Sequence, residues 1–425
     1  MNSTEDEQAL MRRLGWRLMP VLVLMFLVAF IDRQNIGFAK LQMLSDLHIS
    51  EAAFGFAASL FFIGYVVFEI PSCLALQRYG ARRWLALLVF GCGLITLALA
   101  FTASANMLSV LRLLLGAAEA GIYPGVVYYL ITWFPDPYRI RMLGFFTLGS
   151  SLGNMVGGPI NGTLLDLNGW LGLAGWQWVF IGGGLLALLL AVVVVALLPS
   201  SPLTARFLDD KDRQLLAAMH ARASTPTTTH ENPWSALWDP VVIGFGLIYI
   251  LLATSYYGMT YWLPTIIRAF GVSSTANGWL NAIPWALAAL ALIAVPSLLR
   301  DDRTIFRFAA TVTLLGAICF LASVMLTGNT QRFVALAIGG PCIAVLNPCF
   351  WTFPSRFFSG ARAAASIAAI NAIGNIGGFF APNLAPWVQH HTGSVAGPML
   401  VPASCLIALC AISSWLWLRA ARQRG

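Results

Sequence analysis

Apolar runs of about twenty residues return again and again along this chain, and each is long enough to cross a bilayer as a helix. Bounding them by glycine, proline and charge gives twelve, at residues 17–39, 54–76, 84–103, 108–131, 143–165 and 176–198, then 241–264, 276–299, 306–327, 333–353, 363–388 and 398–418. Of the 425 residues only 10% are charged, against about 25% in ordinary soluble domains, and the mean hydropathy is +0.77. A soluble fold is excluded. Strands of a membrane β-barrel alternate apolar and polar residues, whereas the run from Ile181 to Leu198 is apolar on every face, so the spans are helices.

The basic residues test the topology, because cytoplasmic loops carry an excess of Lys and Arg. With both termini inside, 20 of the 25 fall on the cytoplasmic side, Lys40, Arg268 and Arg332 fall outside, and Arg33 and Arg112 lie within spans. The net charge of +8 is thereby explained by orientation in the membrane, and no nucleic-acid partner is expected. Residues 1–16 are short and carry Glu5, Asp6 and Glu7, unlike a cleaved signal peptide. They are expected to be a cytoplasmic N-terminus. The seven cysteines sit in apolar stretches without metal-ligand spacing, so neither a metal, a disulfide nor a cofactor is expected.

Residues 199–240 begin Pro199-Ser200-Ser201-Pro202 and gather much of the remaining polar sequence. They divide the chain into halves at 17–198 and 241–418, followed by a tail at 419–425. A repeat supports the division. Arg112 recurs as Arg332, Phe134-Pro135 as Phe353-Pro354, and Gly153-Asn154 as Gly374-Asn375, all at offsets of 219 to 221. Parallel six-helix repeats around a midplane site are the major facilitator arrangement. The expected fold class is therefore an all-α polytopic membrane protein with twelve transmembrane helices in two pseudo-symmetric halves.

A charge inside a span costs about 2.5–3.5 kcal/mol on the insertion scale, so each needs a reason. Asp32, Arg33, Glu69, Arg112 and Glu119 all lie in the first half. Asp32-Arg33 either faces the interior or surfaces at the outer interface. Glu119 lies mid-span among small residues, Gly116 to Gly121, where a carboxyl group can gain and lose a proton or form a structural ion pair with Arg112 or Arg33. Arg112 precedes it by about two helical turns, on the same face, and near enough to the span's start to snorkel. Glu69 is read as a structural partner of the basic loop at Arg78. Polar residues of the second half are neutral: Tyr256, Tyr257, Tyr261, Asn347, Trp351, Thr352, Asn371 and Asn375. Asn371 and Asn375 share a helix face and suggest a hydrogen-bonding wall opposite the charged one. Gly149-Ser150-Ser151-Leu152-Gly153 matches the nucleophile pattern of hydrolases, but Gly149, Gly153 and Gly157 recur every fourth residue, which favours close helix packing.

Phe30-Ile31-Asp32-Arg33-Gln34-Asn35-Ile36-Gly37, Gly64-Tyr65 to Glu69-Ile70-Pro71, Arg78 to Trp84, and Ala118-Glu119-Ala120-Gly121-Ile122-Tyr123-Pro124-Gly125 through Trp133-Phe134-Pro135 resemble the anion:cation symporters of the major facilitator superfamily. Tyr261-Trp262-Leu263-Pro264, Phe350-Trp351-Thr352 and Asn371 to Gly378 are similar to its tartrate and hydroxyphenylacetate permease branch. The likeness covers nearly the whole chain. It implies a proton-coupled importer of a small organic anion such as a sugar acid, dicarboxylate or aromatic carboxylate. It further implies that Arg33 binds the carboxylate with Tyr65 nearby, that Asp32 and Glu119 carry protons, and that Arg112 pairs with the first-span acid. Trp351, Thr352 and Asn371 would line the site from the second half. Gln77 stands where the general loop motif has aspartate, which weakens the usual loop-to-helix salt bridge. Gly158-Pro159-Ile160-Asn161-Gly162 resembles the fifth-helix antiporter motif except that Thr163 replaces a glycine, which keeps a proton-coupled exporter as the alternative. A membrane-embedded hydrolase using Ser151 is the remote one. The expected setting is the inner cell membrane, with both termini cytoplasmic and the chain acting as a monomer.

Overall fold

A computed structural model describes residues 3–223, 238–295, 302–358 and 360–422. In the first half the helices are α1 (Ser3–Asp46), α2 (Glu51–Tyr79), α3 (Ala81–Leu99), α4 (Ala105–Glu119), α5 (Ile122–Trp133), α6 (Asp136–Leu165) and α7 (Gly175–Leu197). A polar helix, α8 (Asp210–Ala223), follows. The second half holds α9 (Pro240–Arg268), α10 (Ser274–Ala294), α11 (Asp302–Met325), α12 (Asn329–Phe357), α13 (Gly360–Thr392) and α14 (Leu400–Arg422). Because α4 and α5 share one span, these helices make twelve passages among the described residues.

Ten passages satisfy length and apolarity for crossing a membrane. The other two, α6 and α13, are the glycine- and asparagine-rich fifth and eleventh, with 30 and 33 residues. Their composition follows from their position, since each packs against helices of both halves: α6 between α1 and α10, α13 between α9 and α2. Small residues there let backbones touch. A Cβ on Gly158 or Gly162 would fall within 2.6 Å of the Gly278 or Ser274 carbonyl oxygen on α10, and one on Gly55 within 2.2 Å of the Pro382 carbonyl on α13. Gly149 and Gly153 meet the Val23 and Leu27 carbonyls of α1 in the same way. Their four-residue spacing is therefore helix packing, and Ser151 is buried mid-helix between them.

Ser50, Ser104 and Ser273 cap the starts of α2, α4 and α10 by accepting a backbone N–H, which satisfies a donor the helix leaves free. These starts lie at the end away from the basic loops. Cross-half contacts on that side include Asp166, which accepts from Thr275 N at 3.0 Å and Thr275 Oγ1 at 2.7 Å, and Lys40, which is paired with Glu51 at 2.6 Å and lies 4.3 Å from the Trp262 ring centre.

At the basic end, α1 runs unbroken from Ser3. Helix α8 lies on the first half through Arg13–Asp212 (2.5 Å) and Arg222–Glu7 (2.8 Å), and Phe207, just before it, stacks on Trp133. The remaining linker, 224–237, and the side chain of Gln77 lie outside the described residues.

Candidate functional site

One turn of α1 organises the centre. Asp32, Arg33, Gln34 and Asn35 are all buried, and because successive residues on a helix point about 100° apart, they reach different neighbours. Thr96 Oγ1 of α3 donates to both oxygens of Asp32 at 3.0 Å, and Asn35 Nδ2 donates to Asp32 Oδ1 at 3.1 Å. Gln34 Nε2 crosses to Asn281 Oδ1 of α10 at 2.9 Å. Arg33 Nε donates to Glu119 Oε1 at 2.7 Å, and its Nη1 donates to the Tyr257 hydroxyl of α9 at 2.9 Å. The guanidinium carbon lies 4.9, 5.3 and 5.3 Å from the ring centres of Phe30, Phe61 and Tyr65, where the negative ring faces attract the cation.

Glu119 is placed by two local features. Gly64 and Gly116 lack side chains, so α2 and α4 cross with backbones touching; a Cβ on either would come within 2.1 Å of a carbonyl oxygen on the other helix. That crossing carries Phe61 and Tyr65 onto the face of α4. The span then breaks directly after Glu119. Pro124 has no N–H to bond the Ala120 carbonyl, and a Cβ on Gly121 would strike Ser72 Oγ at 1.8 Å. Broken helices at the midplane are where transporters of this architecture form their sites.

The sequence profile of the Major Facilitator Superfamily matches residues 22–382. The chain belongs to this superfamily. It is 39% identical to a quinolone resistance transporter of Acinetobacter baumannii over 92% of this chain and 91% of that one. It is 38% identical to a putative tartrate transporter of Agrobacterium vitis, over 100% and 98%. Among solved structures, a bacterial homolog of the human lysosomal transporter Spinster superposes with a TM-score of 0.76 at 18% identity, covering 96% and 97% of the two chains. The inward-open xylose transporter XylE from E. coli gives 0.75 at 14%, covering 94% and 95%. The chain is a multi-pass membrane transporter, and its relatives and fold are those of transporters, not enzymes.

Within this facilitator, Asp32 and Arg33 face the interior, not the outer interface. Arg33 is the ion-pair partner of Glu119. Arg112 is fully buried, so it does not snorkel; its guanidinium lies 4.9 Å from the Phe61 ring centre, and none of its three nitrogens has a hydrogen-bond partner. Asp32 is bonded to Thr96 and Asn35, so the expected Arg112–Asp32 bond is not formed in this structure. Trp351 is half-buried and packs edge-on to Tyr249, with ring centres 5.1 Å apart. The Thr352 hydroxyl bonds back to the Pro348 carbonyl at 2.9 Å.

Glu69 corrects the sequence reading. It does not meet the basic loop; it accepts from Asn371 Nδ2 of α13 at 3.0 Å, across the halves, while Arg78 lies over the Tyr79 ring. Nine residues make about two and a half helical turns, so Glu69 and Arg78 point to opposite faces, a signal the spacing already held. Tyr257, named among the neutral polar residues of the second half, is the one that meets Arg33; Thr96 and Asn154, whose amide donates to Tyr256 at 2.7 Å, are not legible as site residues, because nothing local pairs them with their partners.

Proposed function

We propose that the chain is a proton-coupled symporter that carries a small organic anion, a carboxylate such as a sugar acid, dicarboxylate or aromatic acid, into the cell. The buried Arg33–Glu119 pair carries this reading. An arginine fork suits a carboxylate, and here the fork is held by an internal carboxylate that a proton can neutralise. Protonation of Glu119 loosens its hold and frees Arg33 for the substrate; by linkage, the bound anion favours the protonated carrier in equal measure. Asp32 is the second proton carrier, with Arg112 beside it to take part of the anion's charge. Tyr65, Trp351, Thr352 and Asn371 complete the site from both halves.

Electrical energetics favours such coupling. An inside-negative potential opposes a monoanion by about 2.3 kcal/mol per 100 mV; one proton cancels this and a second makes entry electrically driven. By the distribution of basic residues, the termini and the loops at Arg78 and Arg307 are cytoplasmic in the inner membrane. The contacts between Asp166 and Thr275 and between Lys40 and Trp262 then close the external side. The names of the relatives support a small organic substrate. Export is the second reading, favoured by Gly158 and Gly162 at the α6–α10 contact and by the resistance transporter among the relatives.

Purified protein in liposomes tests both. Labelled carboxylate accumulates when the outside is acidified, and a protonophore abolishes the accumulation. Uptake indifferent to the proton gradient overturns coupling, and proton-driven extrusion in place of accumulation selects the exporter.

A further inference from the structure

Glu69 is 7% exposed, and its environment is unlike that of the other two buried acids. Asp32 has a hydroxyl and an amide donor, and Glu119 has Arg33. Glu69 has one amide, that of Asn371, on Oε1; its Oε2 is buried without a hydrogen-bond partner, and no ion pair reaches it among the described residues. A buried carboxylate lacking a cation or a full set of donors is expensive. An oxygen left open at such a position can accept from a donor outside the protein.

The surroundings say what that partner is attached to. Tyr65 and Glu69 are one turn apart on α2, about 6 Å along the axis, and Arg33 lies 5.3 Å from the Tyr65 ring centre. The anion seat and Glu69 are therefore both neighbours of the same tyrosine. From the second half, Asn371 holds Glu69, and one turn further the Tyr249 ring lies directly on Gly374, where a Cβ would fall 1.8 Å from a ring carbon. Tyr249 in turn stacks on Phe350, with ring centres 5.1 Å apart. The site thus has a cationic pole, an aromatic middle and an acceptor pole.

We propose that Glu69 is the second pole of the substrate site and takes a hydrogen-bond donor, a hydroxyl or amino group, carried by the transported anion remote from the carboxylate that Arg33 binds. Asn371 fixes the Glu69 carboxyl so that its free oxygen faces that donor. This rests on the reading of Arg33 as the carboxylate seat. A plain carboxylate leaves Glu69 unsatisfied and is discriminated against for that reason, since a site built to bond a substrate donor rejects the analogue that lacks it.

Calorimetric titration of the purified full chain with two matched pairs, tartrate against succinate and 4-aminobenzoate against benzoate, tests the assignment in the parent, Glu69→Gln and Arg33→Ala. The donor-bearing member of at least one pair binds the parent about tenfold or more tighter than its partner, as a hydrogen bond to a charged group requires. Glu69→Gln reduces that ratio to about threefold or less on the same scale, chiefly by weakening the donor-bearing member, and Arg33→Ala abolishes binding of both. A preference that survives Glu69→Gln, equal binding within both pairs by the parent, or equal loss of both members in Glu69→Gln overturns the role of Glu69 and leaves the anion seat standing. Binding that survives Arg33→Ala, or no binding of any of the four, overturns the anion-carrier reading itself.

Discussion

Arg112 and Arg332 occupy matching positions in the two halves, 220 residues apart, and the protein uses them differently. Arg112 is wholly buried against Phe61; Arg332 sits at the start of α12, where its Nε donates to the Leu326 carbonyl. Gly153 and Gly374 also match, yet Gly153 admits the backbone of α1 within its own half whereas Gly374 admits the Tyr249 ring. The repeat preserves the path of the chain and not its chemistry. The first half concentrates the buried charges, while the second presents hydroxyls, amides and aromatic rings to them. Neutral groups can leave and rejoin a charged partner at lower cost than a buried ion pair can be broken, which suits the half that must move relative to the charged centre.

The largest effect comes from removing the charge that defines the contrast. Arg33→Ala abolishes anion binding and, by leaving Glu119 without its cation, also destabilises the fold by about 3–5 kcal/mol; titration and thermal unfolding read the two losses. Arg33→Lys is severely weakened as well, because an ammonium lacks the planar fork. Normal transport by the lysine variant would reduce Arg33 to a point charge. Next, Glu119→Gln loses accumulation against a gradient but retains counterflow exchange, which needs alternating access without net proton release. Should Glu119→Gln still concentrate substrate under a proton-motive force, the Arg33–Glu119 pair is structural only.

On the neutral side, Asn371→Ala weakens affinity by about 1–3 kcal/mol and alters substrate preference, since the amide also orients Glu69. Unaltered affinity for every substrate tested would place Asn371 in helix packing. Tyr257→Phe costs less, about 0.5–1.5 kcal/mol, because Arg33 keeps Glu119 and its aromatic box; a loss as large as that of Arg33→Ala would erase the contrast between the halves. The smallest effect is expected at the Asp166–Thr275 contact between the halves. Burial pulls the Asp166 carboxyl upward, but hydrogen bonds from Thr275 and Ser274 outweigh it and hold the group below its ordinary range. A depressed carboxyl contributes fully above its ordinary value of about 3.9 and is lost only as pH falls through the lower folded value. Asp166→Asn therefore shifts the balance of closure at that contact slightly and leaves the pH profile of uptake between about pH 5 and 8 unchanged. A changed profile would make Asp166 part of the proton coupling.

Particular residues show how far sequence reasoning reached. The buried acid at position 119 and the arginine at 33 were legible, because a charge in a lipid-facing environment is costly enough to demand a partner. Their mutual pairing is one of two options in the sequence, and only the packing of α1 against the first half, which brings Arg33 Nε to 2.7 Å from Glu119, decides it. Glu69 lies near Arg78 along the chain but on the opposite face of α2, so proximity in sequence points to the wrong neighbour and rotation about the helix to the right one.

Sequence alone determined the twelve passages, the two halves and the asymmetry of charge between them. The physical reason is that a bilayer imposes a local, one-dimensional rule: every backbone group must be satisfied within its own segment, so apolar length defines a helix wherever it occurs. Tertiary structure alone decided that Arg33 holds Glu119 and Tyr257, that Arg112 stays unbonded, and that Glu69 reaches across to Asn371. Those outcomes depend on the rotation and crossing of helices many residues apart, set by which backbones can touch at glycine, and no local rule carries that information.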